Sequence, residues 1–266
     1  MNRRRLPACI LTIAGSDSGA GAGLQADART IHALGGFAAT VVTAVTAQNT
    51  RGVAAWQAVP PGLIRAQLRA VLQDLPIAAI KTGLLPGPAA IRIIAAELKR
   101  RPGIALVVDP VIGSTSGTRF LSPGGVRALE RWLFPLASLV TPNWPEAAAL
   151  SGMPVRSEGE ARDAARELAA RHGCAFLVKG GHGRGRMSRD ILAAGRKTRI
   201  FSGRRVATRN THGTGCVLSA SIAAGLGSGR SLEAAVAGAR RFLADGLGRG
   251  RREDWGGAGP AFSGRA

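Results

Sequence analysis

The chain of 266 residues contains no tyrosine, three cysteines and only four lysines among its 36 basic residues. No apolar run reaches the roughly 18–20 residues of a membrane span, so we expect no membrane partner. Cys9, Cys174 and Cys216 form neither a C-x-x-C pair nor a disulfide framework, which favours a reducing cytoplasm. The apolar run after the basic start is short and leads into a glycine-rich loop, which indicates a buried strand rather than a signal peptide.

Acidic residues are scarce as well, and the net charge is +20. Such an excess is typical of proteins with anionic partners such as nucleic acids. However, arginine in place of lysine, with abundant alanine and glycine, is also what a GC-rich genome encodes on a solvated surface. The densest basic stretch, residues 183–209, contains one aromatic residue, Phe201, and so lacks the stacking platform of a single-strand binder. We expect no nucleic-acid partner.

Apolar strand patterns alternate with amphipathic helical patterns along most of the chain. The predicted strands are A-C-I-L-T-I-A-G, T-V-V-T-A-V-T-A, I-A-A-I-K-T-G, I-A-L-V-V-D-P-V, A-S-L-V-T-P-N and A-F-L-V-K-G-G-H. Residues 190–207 are expected to form short antiparallel edge pieces, and two closing helices are expected to begin near Cys216 and Ser231. The pattern predicts an α/β fold with a mostly parallel sheet and helices on both faces. We predict one domain over residues 1–266, ending in a glycine-rich tail at about 246–266.

Small, polar or charged residues follow nearly every predicted strand. In an open parallel sheet the ligand binds beyond the carboxyl ends of the strands, which meet at one edge. The sequence therefore predicts a single polar rim that is the active site. The groups expected there are Gly15-Ser16-Asp17, Gln48-Asn49, Lys81-Thr82-Gly83, Asp109-Pro110, Thr141-Pro142-Asn143 and Lys179-Gly180-Gly181-His182.

Two common nucleotide-binding motifs are missing. There is no G-x-x-x-x-G-K-[ST], which excludes a P-loop protein. The first loop, residues 15–23, reads G-S-D-S-G-A-G-A-G, and its glycines do not have the G-x-G-x-x-G spacing. No strand ending in a carboxylate follows about 20 residues later, where a dinucleotide ribose would be held. An NAD-dependent enzyme is therefore disfavoured.

The stretch N-T-H-G-T-G-C, residues 210–216, leads into an apolar helical pattern. A glycine turn entering a helix directs several backbone N–H groups toward one point at the positive end of the helix dipole. Such a turn suits a phosphate or the charge of a phosphoryl transition state. The helix terminus also lowers the pKa of a thiol, which makes Cys216 a candidate general base. The alternative, a well-capped helix with a small buried cysteine, remains open.

Seven motifs, taken together and in this order, resemble the hydroxymethylpyrimidine/phosphomethylpyrimidine kinases of thiamine biosynthesis, which have the ribokinase-like three-layer fold. The resemblance covers residues 9 to about 245. It implies a homodimeric kinase that uses ATP and Mg²⁺ to phosphorylate 4-amino-5-hydroxymethyl-2-methylpyrimidine and then its monophosphate. The motifs are L-T-I-A-G-S-D-S-G-A-G-A-G-L-Q-A-D, T-A-V-T-A-Q-N-T, K-T-G-L-L, V-V-D-P-V, T-P-N-W-P-E-A, V-K-G-G-H and N-T-H-G-T-G-C.

The resemblance assigns pyrimidine-binding roles to residues of the first half of the chain. Gln48 matches the glutamine that hydrogen-bonds the aminopyrimidine, and an amide suits a ring nitrogen beside an exocyclic amine. The other positions matched to this pocket are Gly15, Ala22, Asp27 and Val111.

The resemblance also assigns the phosphate side. Asn143 and Glu146 match an N-x-x-E element that supports Mg²⁺, mostly through water, and Asp109 is assigned to the same metal network. Cys216 matches the residue that faces the substrate hydroxyl. The remaining assignments are Lys179 and Thr211 beside ATP and Gly213, Thr214 and Gly215 in the anion hole.

Some positions depart from the family pattern. Ala20 replaces a usual glycine, Leu84 replaces a usual methionine, and the loop 113–119 lacks a lysine often found there. These departures leave the substrate range open, so a pyridoxal or pyridoxine kinase is the nearest alternative. A non-catalytic basic binder and a pyrimidine sensor without turnover are more remote ones. A structural role is open for Asp17, Asp109 and His212. For Asp109 the metal network is favoured, and for His212 the two roles are evenly open.

Overall fold

The computed structural model describes residues 6–113, 117–183 and 185–264. Its strands and helices alternate as the sequence predicts, apart from one additional strand. The strands are β1 (Cys9–Asp17), β2 (Phe37–Asn49), β3 (Gly52–Ala58), β4 (Ile77–Thr82), β5 (Ala105–Val108), β6 (Leu139–Val140), β7 (Ala175–Val178), β8 (Met187–Ala194) and β9 (Lys197–Arg204). The helices are α1 (Gly23–Ala33), α2 (Pro61–Asp74), α3 (Pro88–Leu98), α4 (Pro123–Ala128), α5 (Trp144–Ser151), α6 (Glu158–His172), α7 (Thr214–Gly227) and α8 (Leu232–Gly250).

The nine strands form one sheet in the order β3-β2-β1-β4-β5-β6-β7-β8-β9. Six neighbouring strands in this order run parallel: β2, β1, β4, β5, β6 and β7. The edge strands β3, β8 and β9 pair antiparallel. This arrangement confirms the predicted α/β fold with a mostly parallel sheet and antiparallel pieces near residues 190–207.

Both faces of the sheet are buried, which explains the continuous apolar runs in its strands. Successive side chains of β1 alternate between the faces: Leu11 and Ile13 pack in one core with α2, α3 and α6. Ile10 packs in a second core with Ile222 of α7 and residues of α8. The three layers are therefore helices, sheet and helices. None of the helices in the described ranges is long and apolar enough to cross a bilayer.

The strand pattern in the sequence predicts a shorter β2 and does not show β3. Strand β3 reads G-V-A-A-W-Q-A, lies at the sheet edge and is largely solvent-exposed. An edge strand of small residues shows neither a buried apolar run nor a clear alternation, so its pairing with β2 becomes visible only in the folded chain. Helix α4 begins after the N-cap residue Ser122 and continues as a π-helix from Leu129 to Leu133.

A fully buried ion pair lies in the middle of the molecule. Lys81 of β4 donates to the carboxylate of Asp27 of α1, with Nζ 2.8 and 3.0 Å from Oδ2 and Oδ1. Thr12 of β1 adds a hydrogen bond of 2.5 Å to Asp27 Oδ2. Burial disfavours the charge on Lys81, but the adjacent Asp27 carboxylate, together with Cys216 and Asp109, outweighs this and holds the pKa of Lys81 above its usual value. The pair ties two neighbouring strands to the helix above them.

We predict that Lys81→Met lowers the free energy of unfolding by about 3–5 kcal/mol, because it leaves the Asp27 carboxylate buried without a countercharge. Urea denaturation measures this loss. The double variant Lys81→Met/Asp27→Asn should recover part of it, since no unpaired charge remains.

The matched control is Arg189→Met, which removes an exposed pair between Arg189 and Glu158 and should cost less than about 1 kcal/mol. A loss in Lys81→Met no larger than in this control would contradict the importance of the buried pair.

Candidate active site

The parallel strands bring the predicted polar residues to one edge of the sheet. Asp17 ends β1 and Gln48 lies near the end of β2. Asp109 directly follows β5, and Lys179 directly follows β7. The carboxyl ends of these strands meet at the same edge, as the sequence analysis predicts.

One half of this rim is a cluster around the ammonium group of Lys179. Its Nζ lies 2.8 Å from Asp109 Oδ1 and 4.0 Å from Glu146 Oε2. Burial disfavours the charge on Lys179, but the two carboxylates outweigh it and raise the pKa of this lysine. Lys179 therefore stays a cation, although its side chain is only 13% exposed.

The N-x-x-E element has a clear local function in the fold. Asn143 Oδ1 accepts from the Glu146 N–H at 2.9 Å, and Glu146 Oε2 accepts from the Asn143 N–H at 2.8 Å. These reciprocal bonds form a capping box that begins α5. Burial raises the pKa of Glu146 to about 7, against the opposing effect of Lys179.

Asp109 and Glu146 were the predicted metal residues, and their arrangement fits Mg²⁺. The described residues contain no group of three or more His, Cys, Asp or Glu side chains that would hold a metal ion alone. Mg²⁺ is commonly held by one or two carboxylates together with waters and substrate phosphates. Asp109 Oδ2 accepts a long hydrogen bond of 3.5 Å from Ser219 Oγ, so it retains capacity for such a ligand.

Opposite this cluster, the glycine turn begins α7. Gly213 is the N-cap residue with a φ of +79°, and a Cβ there would collide with the carbonyl oxygen of Gly21. A Cβ at Gly215 would lie 3.1 Å from Lys179 Nζ. Glycine is therefore needed at Gly213, and a side chain at Gly215 would press on the lysine, because the helix start lies directly against the first loop and against Lys179. Thr214 is the first helical residue, and Thr211 precedes the turn and is exposed.

Cys216 lies in the first turn of α7, but its acidity differs from the prediction. Burial raises the pKa of its thiol to about 11, although the nearby Lys81 acts in the opposite direction. The expectation that the helix terminus lowers this pKa was wrong, because desolvation of the thiolate outweighs the helix terminus. The free protein therefore holds Cys216 as a neutral thiol.

The other half of the rim is centred on His212, whose ring links two predicted elements. His212 Nε2 lies 2.9 Å from Asp17 Oδ2 and 3.0 Å from Gln48 Nε2. Burial raises the pKa of Asp17, but hydrogen bonds from His212, Ala22 and Gly19 outweigh it and lower the pKa. Asp17 thus shapes the first loop, and His212 connects that loop to Gln48.

A family model described as phosphomethylpyrimidine kinase matches residues 17–258 of this sequence. The chain belongs to the phosphomethylpyrimidine kinase family. The match includes all the predicted site residues except Gly15. It confirms the resemblance seen in the seven motifs.

Two relatives show how far the similarity extends. The chain is 47% identical over 241 residues to the hydroxymethylpyrimidine/phosphomethylpyrimidine kinase of Rhizobium meliloti, covering 90% of each sequence. It is 44% identical over 247 residues to the thiamine biosynthesis bifunctional protein ThiED of Geobacter sulfurreducens, covering 91% of this chain. The chain spans about half the length of that bifunctional relative.

Solved structures of two related kinases have the same fold. A phosphomethylpyrimidine kinase from Clostridium difficile superposes with a TM-score of 0.79 at 35% identity, covering 91% of this chain and 99% of the other. Pyridoxal kinase from Bacillus subtilis, in an ADP complex, gives a TM-score of 0.84 at 30% identity, covering 91% and 92%. The fold is therefore ribokinase-like, as expected from the motifs.

The remaining residues assigned to the pyrimidine pocket lie at two different depths below the surface. Val111 packs against a small apolar cluster that includes Leu84, and a Cβ at Gly15 would lie 3.6 Å from the Leu84 side chain. Asp27 lies beneath, fully buried, with both carboxylate oxygens bonded to Lys81. Ala22 contributes its backbone N–H to Asp17 at 2.8 Å.

The structure accounts for one departure from the family pattern and describes another only in part. Ala20 adopts a φ of +57°, in the left-handed region that favours glycine, which explains why a glycine is usual there. In the loop 113–119, Gly113 pairs with Arg119, while residues 114–116 lie outside the described ranges.

The sequence analysis assigned no role to two residues that support the site. Arg205 donates to the carbonyls of Gly181 and Gly183 at 2.8 and 2.7 Å, and so holds the loop that follows Lys179. Asn210 is buried and bonds to three backbone groups. Asn210 was visible as the first residue of N-T-H-G-T-G-C, whereas nothing in the sequence distinguishes Arg205 from the other arginines.

We predict that the Cys216 thiol reacts slowly with iodoacetamide at neutral pH and that its rate rises with a midpoint near pH 11, following the thiolate fraction. A Cys9→Ala/Cys174→Ala background confines the reaction to Cys216, and mass spectrometry measures the rate at each pH. A midpoint below the ordinary thiol value of about 8.5 would show that the helix terminus prevails after all.

Proposed function

We propose that this protein transfers the γ-phosphoryl group of ATP to the hydroxymethyl group of 4-amino-5-hydroxymethyl-2-methylpyrimidine. It then phosphorylates the monophosphate to give the pyrophosphate for thiamine diphosphate biosynthesis. The observation that carries the proposal is the approach of the Gly213–Gly215 turn to Lys179, at the rim that also holds Gln48. The family match and the names of the relatives support the same reaction.

The phosphate side supplies positioning and positive charge. Phosphoryl transfer requires little covalent chemistry from the protein, so its catalysis consists mainly of alignment and charge stabilisation. Lys179 and the N–H groups at the start of α7 would stabilise the transferring group. Asp109 and Glu146 would hold Mg²⁺ largely through water, and the ion would neutralise phosphate charge when bound.

The other side would recognise the heterocycle. The Gln48 amide can face a ring nitrogen and an exocyclic amine, since it contains both a donor and an acceptor. His212 Nε2 donates to Asp17 Oδ2 at 2.9 Å, and the ring held in this way lies 3.0 Å from the Gln48 amide and limits the space in which the amide can turn. The residues that would line the ring are Gly15, Ala22 and Val111. Asp27 is buried below them and would contribute indirectly, through its ion pair with Lys81.

The two phosphorylations make different demands on Cys216. The first acceptor is an alcohol, which must lose a proton as it attacks. The second acceptor is a phosphate oxygen that is already anionic. A general base is therefore useful in the first step only. In the proposed mechanism the thiolate form of Cys216 accepts that proton and becomes the thiol. Burial keeps this form a minor fraction of the enzyme, whereas Lys81 favours it.

Pyridoxal phosphorylation is the second candidate activity, and the structural likeness to Bacillus subtilis pyridoxal kinase favours it. Pyridoxal is also a heteroaromatic ring with a hydroxymethyl group. Gln48 favours the aminopyrimidine, because its amide complements a ring nitrogen with an adjacent amine. A sensor without turnover is disfavoured, since G-T-G-C and the residues Asn143 and Glu146 are all present.

We also propose a cytoplasmic homodimer with small-molecule partners and no nucleic-acid or membrane partner. The family resemblance supports the dimer, and the cysteine usage supports the compartment. Light scattering of the purified protein measures its mass against the monomer mass of 27.3 kDa.

We predict that the purified protein releases ADP with Mg-ATP and hydroxymethylpyrimidine and that mass spectrometry detects the mono- and diphosphate products. Pyridoxal is tested in parallel, and omission of Mg²⁺ should abolish turnover because the phosphate charge is then uncompensated. Turnover of pyridoxal alone would transfer the assignment to the second candidate. Absence of turnover with both substrates would contradict the proposed function.

We predict that Cys216→Ala slows the first phosphorylation by about 100-fold or more, as expected for loss of a general base, and affects the second far less. Single-turnover kinetics with each acceptor measure the two rates separately. Cys174→Ala is the matched control, because Cys174 precedes β7 at the opposite edge of the sheet. Equal losses in both steps would exclude the base role and leave Cys216 as a residue that shapes the anion hole.

A further inference from the structure

The C-terminal segment Glu253–Phe262 packs against the proposed active site, although the sequence indicates only a glycine-rich tail. Its last residues are buried, and Phe262 packs with Phe242 of α8 and Val217 of α7. The Ala258 N–H donates to the Thr50 carbonyl at 2.8 Å, and Thr50 Oγ1 donates to the Trp255 carbonyl at 3.0 Å. The segment therefore contacts the chain two residues after Gln48.

Asn210 joins this segment to the glycine turn. Its Nδ2 donates to the carbonyls of Gly250 and Glu253 at 2.7 and 2.8 Å, and its Oδ1 accepts from the Gly259 N–H at 3.0 Å. The side chain is buried, and these three bonds satisfy both donors and one acceptor position of the amide. A buried amide with this bonding fixes the distance between the three backbone segments that it contacts.

The same segment holds the backbone of His212 on both sides. The His212 N–H donates to the Gly259 carbonyl at 3.0 Å, and the Ala261 N–H donates to the His212 carbonyl at 2.8 Å. These two bonds form a short parallel bridge between His212 and Pro260. Because the His212 ring contacts Gln48, the position of the tail determines how the ring meets this amide.

Two glycines of the segment leave no room for a side chain. A Cβ at Gly257 would lie 2.5 Å from the Thr50 carbonyl oxygen, and a Cβ at Gly259 would lie 2.5 Å from Asn210 Oδ1. The glycine content of the tail is thus explained by close packing at these positions.

We propose that Asn210 and the segment Glu253–Phe262 form a clasp that positions His212, and through it Gln48, for the acceptor substrate. Asn210 is then a positioning residue for the pyrimidine, an inference that rests on the proposed function. The clasp acts on the acceptor side of the rim. The glycine turn on the phosphate side also has a contact of its own, between Gly213 and Gly21.

The test compares Asn210→Ala and Gly257→Ala with the full-length wild type. Hydrogen exchange at the amides of His212 and Ala258 reports the clasp without any substrate. Calorimetric titration with hydroxymethylpyrimidine and steady-state kinetics report its consequence. We expect faster exchange in both variants, a Kd and KM for the pyrimidine raised about tenfold, and an unchanged KM for ATP.

Ser231→Ala is the matched control, because it removes the N-cap of α8 at the end remote from the clasp. An equal loss of pyrimidine affinity in this variant would show a general effect of destabilisation and overturn the proposal. Unchanged exchange at His212 in the clasp variants, or unchanged pyrimidine affinity with faster exchange, would also overturn it.

The test also decides when a variant does not fold or when the wild type binds no pyrimidine. If Asn210→Ala does not fold, Gly257→Ala decides, since Gly257 is partly exposed and a Cβ there would meet Thr50, the first residue after β2. If the wild type binds no pyrimidine, the proposed function fails. Exchange at His212 then still shows whether the clasp holds this residue.

Discussion

The ion pair between Lys81 and Asp27 is the constraint on which the centre of the molecule depends. Two fully buried charges are tolerated there only because they neutralise each other and Asp27 also accepts from Thr12. The pair also influences the groups above it, since Lys81 favours and Asp27 disfavours the Cys216 thiolate. The same ion pair therefore serves the fold and the site. The packing of β1, β4 and α1 places its two charges close to Cys216, in the first turn of α7.

Much of the fold could be predicted because its pattern is local. A strand buried on both faces has to be apolar throughout, and six such strands indicate a parallel sheet before any contact is known. The rim followed from the same reasoning, because parallel strands end at one edge. Strand β3 escaped this reasoning, since its small exposed residues acquire a partner only when β2 has folded beside them.

The contacts of the site could be predicted within a contiguous motif, but not between segments that are distant in the sequence. Asn143 and Glu146 are three residues apart, so their reciprocal bonds are visible in the sequence. Gln48 and His212 are separated by 164 residues, and no local pattern shows that they touch. The predicted pKa of Cys216 was wrong for the same reason. The helix terminus is a local feature of the sequence, whereas the burial of the thiol is set by the whole fold. The roles of the site residues stay predictions, as does the single domain.

The close approach of Gly213 to Gly21 also has a consequence for biosynthesis. The first loop is among the earliest segments to leave the ribosome, but its partner follows nearly 200 residues later along the chain. Contacts between such distant segments form late, because closing a long loop is entropically costly. The nascent chain therefore assembles its sheet before it has a complete phosphate site, and it cannot bind and turn over nucleotide until its last helices have been made.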